Sequence, residues 1–201
     1  MKSNRRKFIR TVGTRPYRRL FIIAVEGAIT EPQYFSLFTD HNSTIKVKCL
    51  SDVHKSSPPK VLDRMRRSLK EENLKPKDEA WVVVDKDQWQ DEQLMKLFTW
   101  SQEKKNYGMA LSNPKFEYWL LLHFEDGAGI ESSAECDTRL QKYISDYDKR
   151  IEKRKFSLEM IEKAIVRARN RDYPPCTDWP RSPGKTTVYR LVENILRRRD
   201  G

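Results

Sequence analysis

The 201 residues carry 40 Lys and Arg against 29 Asp and Glu, a formal net charge of +11, and the mean hydropathy is −0.83. This length suits one medium-sized domain built on one core. No apolar run reaches the ~18–20 residues of a membrane helix, and the N-terminal stretch lacks the apolar segment of a signal peptide. The sequence therefore predicts a cytoplasmic protein that makes no use of the membrane. Cys49, Cys136 and Cys176 are odd in number and widely spaced, which argues against a disulfide framework and a zinc knuckle.

The charge is unevenly distributed. Residues 1–19 hold eight basic and no acidic side chains, and residues 149–201 hold fifteen basic and seven acidic, so the intervening segment is net negative. Basic flanks around an acidic middle suit a polyanionic partner, because Lys and Arg neutralise phosphates. A solvated basic tail explains residues 1–15 equally well.

In chain order, Leu20–Val25 is a continuous apolar run, read as a strand buried on both faces, and it stops on Glu26-Gly27. Thr30-Glu31-Pro32 reads as a helix start with Thr30 as N-cap. Residues 45–50 alternate like a strand. Ser56-Ser57-Pro58-Pro59 opens a helix whose Val61, Leu62, Met65 and Leu69 share one face. Residues 79–85 form a second apolar strand, ending on Asp85-Lys86-Asp87. A helix from Asp91 and a strand over 108–112 follow. Helices are predicted at 116–124, 133–153, 157–171 and 184–199, with a proline-rich loop over 173–184.

The alternation of strands and helices predicts an α/β fold with a mainly parallel four-stranded sheet and right-handed crossovers. The expected organisation is a basic arm (1–19), an α/β core (20–126) and a helical C-terminal extension packed on it (127–201).

Acids at strand ends matter because ligands bind beyond the carboxyl ends of the strands in open α/β sheets. Carboxylates from two such strands can meet on one hard cation, with Mg²⁺ as the expected ion and Mn²⁺ as its substitute. Alternate strand residues share a face, so Asp85 and Asp87 would both approach Glu26 if the extended backbone continued through Lys86. Glu31 offers a further oxygen, or a plain helix-dipole contact. Glu117 is open to the same two readings. Lys115, between a strand end and a helix start, and Lys185 are the candidate cations for developing phosphate charge. His123 is either a proton shuttle or a packed core histidine. Ser182–Thr187 lacks the leading glycine of a P-loop, but as a helix start it could still dock phosphate.

Glu26 after the first strand and Asp85-Lys86-Asp87 after the later one resemble the Toprim domain of topoisomerases, primases and several nucleases. Glu26-Gly27-x-x-Thr30-Glu31-x-x-Tyr34-Phe35, Asp85-x-Asp87-x-Trp89, and Asn113-Pro114-x-Phe116-Glu117-x-Trp119 through Phe124 are similar to the RloB-like family over nearly the whole chain. That resemblance implies a Toprim-like fold in which Glu26 is a metal ligand or general acid/base and Asp85 and Asp87 bind metal. It also implies an effector of bacterial abortive infection against phage, working beside an ATPase. With Lys115 and Glu117 added for their place between a strand end and a helix start, the expected catalytic set is Glu26, Asp85, Asp87, Lys115 and Glu117. The glycine that commonly follows the Toprim Asp-x-Asp is replaced by Gln88-Trp89, which points away from topoisomerase or primase chemistry. The expected activity is phosphodiester hydrolysis of DNA or RNA, tRNA among the candidates, and the alternative is a non-catalytic adaptor that binds nucleic acid or a partner. The oligomeric state is left open.

Overall fold

A computed structural model describes residues 19–39, 45–52, 57–87, 89–145 and 147–197. The basic arm therefore lies outside the described residues, except for Arg19. That residue opens β1 (Arg19–Val25) and is buried, its guanidinium 2.7 Å from Glu79 and also bonded to the carbonyls of Asn194 and Arg197.

The remaining strands are β2 (Ile45–Leu50), β3 (Glu79–Asp85), β4 (Tyr107–Asn113) and β5 (Lys185–Thr186), in the spatial order β2-β1-β3-β4-β5. The first four pair in parallel and β5 pairs antiparallel with β4. The α/β expectation holds, with one short strand added to the four foreseen. The helices are α1 (Thr30–Phe35), α2 (Pro58–Glu71), α3 (Asp91–Ser101), α4 (Phe116–Leu121), α5 (Ser133–Gln141), α6 (Leu158–Arg171) and α7 (Val188–Leu196), with 3₁₀ turns at 36–38 and 153–155.

The apolar strands have no polar alternation because helices cover both faces of the sheet. Leu20, Ile22 and Ala24 point into one core with Val61, Leu62 and Met65 of α2 and Leu94, Leu97 and Trp100 of α3. Phe21, Ile23 and Val25 point into the other, filled by Tyr34 and Phe35 of α1, the α4 aromatics, and Ile161, Ile165, Leu191, Val192 and Ile195 of α6 and α7. All three cysteines are free thiols. Among the described residues no helix is long and apolar enough to cross a membrane.

Three expectations change. The helix foreseen over 133–153 stops at Gln141, because the following segment is pulled onto α1: the Ile151 N–H donates to Gln33 Oε1 at 2.8 Å. The helix foreseen from 184 starts at Val188, because Lys185 and Thr186 are drawn into pairing with Asn113 and Ser112. Ile29, not Thr30, is the N-cap of α1, and the Thr30 hydroxyl turns instead to the Lys149 carbonyl at 3.0 Å.

Candidate functional site

The carboxyl ends of β1, β3 and β4 lie side by side, and each delivers an acid. Glu26 follows β1 directly, and its N–H continues the ladder to the Val83 carbonyl at 3.1 Å. Glu26 Oε2 accepts the Asp85 N–H at 3.2 Å and Oε1 accepts the Trp89 indole N–H at 2.9 Å. Asp85 is the last residue of β3. Glu117, in the first turn of α4, is buried and accepts the Tyr147 hydroxyl at 2.9 Å. Glu31, in the first turn of α1, is buried and accepts the Gly27 N–H at 2.7 Å. A Cβ on Gly27 would collide with that carboxylate, so only glycine lets Glu31 fold over the turn.

These acids sit in one another's fields. Burial raises Glu26 to about 7, against the bonds from Asp85 and Trp89 that hold it down, and the charges of Glu31 and Asp87 add to the rise. Asp85 is pushed well above the usual carboxylate range by desolvation and then by Glu31, Glu26 and Glu117, only partly offset by the Phe116 N–H. Glu31 is raised by burial, with Glu117 contributing. Desolvation and like charge both penalise the ionised forms, so the site is poised for protons or a cation.

The structure groups four acids, Glu26, Glu31, Asp85 and Glu117, and sets Asp87 at their edge. The extended backbone ends at Asp85, and Asp87 adopts a left-handed φ of 26°, with its N–H on the Pro114 carbonyl at 3.0 Å and its side chain exposed. Asp tolerates that conformation better than most residues. The expectation that Asp85 and Asp87 share a face is therefore corrected: Asp87 neighbours Glu26, while Glu31 and Glu117 surround Asp85.

Lys115 lies close by but is clamped on Asp137, 2.6 and 2.7 Å from its two oxygens. Burial would lower the Lys115 ammonium, but Asp137 and Glu117 outweigh it and raise it, so it stays charged. His123 is the core histidine: Nδ1 lies 3.0 Å from the Trp119 carbonyl, Nε2 lies 3.1 Å from the Tyr34 hydroxyl, and burial lowers the ring to about 3. The phosphate-docking reading of the helix start after Lys185 does not hold, because the Val188 N–H is taken by Thr186 Oγ1 at 3.1 Å and the Thr187 N–H by the Leu111 carbonyl at 2.8 Å. Two site residues escaped sequence reasoning. Trp89 was visible only as a family letter, and Tyr147, thirty residues from Glu117, gives no local signal.

A model of the RloB-like protein family matches residues 21–195. The chain belongs to the RloB-like family. No curated protein and no solved structure matches it.

The acids of this RloB-like protein suit a hard divalent cation in kind: they are all oxygen donors, and their mutual repulsion would be relieved by positive charge. Among the described residues no three His, Cys, Asp or Glu side chains already stand in ligating geometry, so binding would require Glu26, Asp85 and their neighbours to rotate inward. Trp89 offers a test that does not depend on turnover. Its bond to Glu26 favours the ionised form, and a hydrogen bond to a charged group is worth about 1.5–3 kcal/mol, so Trp89→Phe is expected to raise Glu26 above about 7 by roughly one unit. Carbon-13 NMR titration of the glutamate carboxyls reads this, and an unmoved Glu26 resonance would refute the assignment.

Proposed function

We propose that this RloB-like protein hydrolyses phosphodiester bonds of DNA or RNA with a divalent cation, Mg²⁺ or Mn²⁺, held by Glu26 and Asp85 with Glu31 and Glu117 beside them. The observation that carries the proposal is the convergence of four acids at the carboxyl ends of adjacent parallel strands, three of them raised by burial and mutual repulsion. A bound cation would polarise the scissile phosphate and acidify the attacking water.

The protein's own residues supply the remaining functions. Glu26, raised to about 7 by burial while no cation is bound, would give up its proton as it takes the cation. Trp89 and Tyr147 fix the Glu26 and Glu117 carboxylates by donating to them. Asp87, exposed beside Glu26, adds negative potential at the mouth of the crevice. Lys115, held charged beside Glu117, stabilises negative charge that develops on the phosphate.

The family resemblance supports the wider setting: a cytoplasmic effector of abortive infection that works with an ATPase. The test incubates purified protein with Mg²⁺ or Mn²⁺ and plasmid, single-stranded DNA or total tRNA, with Asp85→Asn alongside. Cation-dependent cleavage lost in the variant is the expected result. An inert wild type that still binds nucleic acid would make the protein an adaptor.

A further inference from the structure

Five lysines are half-buried among the described residues: Lys48, Lys86, Lys115, Lys155 and Lys185. Four lie on carboxylates, of Glu72, Asp91, Asp137 and Glu152 respectively. Lys185 makes no such contact among the described residues, which leaves its ammonium for an anion from outside the chain. It lines a cavity of about 490 Å³ together with Arg171, Glu131, Gly127, Gly129 and Gly184.

The cavity has the chemistry of a phosphate site. Arg171 spends its Nε on the Asp126 carbonyl at 3.1 Å and lies 3.7 Å from the exposed Asp126 carboxylate, which leaves donors of its five-proton fork unused. Gly127, Gly129 and Gly184 all have left-handed φ near 70°; a Cβ on Gly127 would strike Leu122 and Tyr118 and one on Gly184 would crowd the Ile130 carbonyl, whereas no atom lies within 4 Å of the Cβ position of Gly129. Backbone without side chains lets an anion approach closely. Glu131, the one acid in the lining, is exposed and screened by solvent.

The sheet fixes where this cavity lies relative to the acids. Lys185 pairs with Asn113, next to Ser112, and Ser112 pairs with Asp85. Two strand spacings separate the Lys185 and Asp85 backbones, about 10 Å, close enough for one nucleic-acid strand to reach both the cavity and the acids. We propose that the Lys185–Arg171 cavity binds a backbone phosphodiester of a single nucleic-acid strand, on the same strand as the phosphate placed at the acids. The position of the reacting phosphate rests on the nuclease reading; the binding of a phosphodiester in the cavity does not.

The test measures fluorescence anisotropy of labelled single-stranded RNA and DNA with the full-length chain in EDTA, across a salt series, so that cleavage plays no part. Lys185→Gln is expected to weaken binding about tenfold and to reduce the log–log salt slope by about 0.7, one released counterion on a single strand. Lys185→Arg should keep both, and Arg171→Gln should weaken binding about three- to fivefold, being partly engaged with Asp126. Unchanged affinity and slope in both Gln variants would overturn the proposal. So would a nucleoside monophosphate whose binding alone depends on Lys185, which would assign the cavity to a free phosphate. Lys185-dependent binding by a protein that cleaves nothing would uphold the cavity and refute the nuclease.

Discussion

Asp85→Asn is expected to reduce cation-dependent cleavage by about 10²–10³-fold, the usual cost of removing one preorganised charge from a reacting centre. Asp85 ends β3 between Glu26 and Glu117, and its N–H donates to Glu26. The substitution keeps that backbone bond and an acceptor for the Phe116 N–H but removes the charge. Folding should not suffer, since the carboxylate sits where desolvation and three like charges oppose it; the apparent melting temperature at pH 8 should rise. Asp87→Asn should cost much less, because Asp87 is exposed and turned away by its left-handed backbone. Cleavage initial rates of the two variants at saturating Mn²⁺ check the order. Equal losses would restore an Asp85–Asp87 pair, and no loss in either would remove catalysis from the crevice.

The second large effect is on stability against pH. A carboxyl raised in the folded state binds protons there that the unfolded chain has released, so stability falls as pH climbs from the ordinary carboxylate range through the folded value. Glu26, raised to about 7, and Asp85 and Glu31, raised by burial and by their neighbours' charges, act this way. His123 acts oppositely: lowered to about 3 by burial, it must stay neutral to fold, so its contribution grows as pH rises from about 3 to about 6.5 and is then constant. Between about 4.5 and 6.5 the losses from the raised carboxylates outnumber the single gain from His123, so the net trend is already downward. Above that only the carboxylates still titrate, with Glu26 alone contributing a loss of about 1 kcal/mol between pH 6.5 and 8. The melting temperature without divalent cation should therefore peak near pH 4.5 and lie several degrees lower at pH 8. Saturating Mg²⁺ or Mn²⁺ should restore it in the wild type and not in Asp85→Asn. A melting temperature that climbs steadily to pH 8 would show that these acids are not protonated in the apo fold.

The residues that could be read from the sequence are those whose environment is set along the strand. β1 and β3 were visible because burial on both faces demands unbroken Val, Ile and Phe, and the acids at their ends follow from where such strands stop. β5 was not, because two residues, Lys185 and Thr186, become a strand only through the exposed edge of β4. Tyr147 and the end of α5 were hidden for a similar reason: the hydroxyl reaches Glu117 across thirty residues, and the segment leaves the helix to bond α1. The period-two expectation for Asp87 failed because the strand ends one residue after Val84, and a turn reorients everything beyond. What the turn removed from the crevice, Glu31 and Glu117 replaced, both in first turns of helices where a dipole contact was an equally good reading.

The most direct measurement of the central claim is a calorimetric titration of Mn²⁺ into metal-free protein at pH 6.5, where Glu26 is still largely protonated, repeated on Asp85→Asn. The account predicts saturable uptake by the wild type, accompanied by proton release as Glu26 and Asp85 ionise, and loss of both signals in the variant. Identical uptake by the two proteins, or no uptake by the wild type, would contradict it.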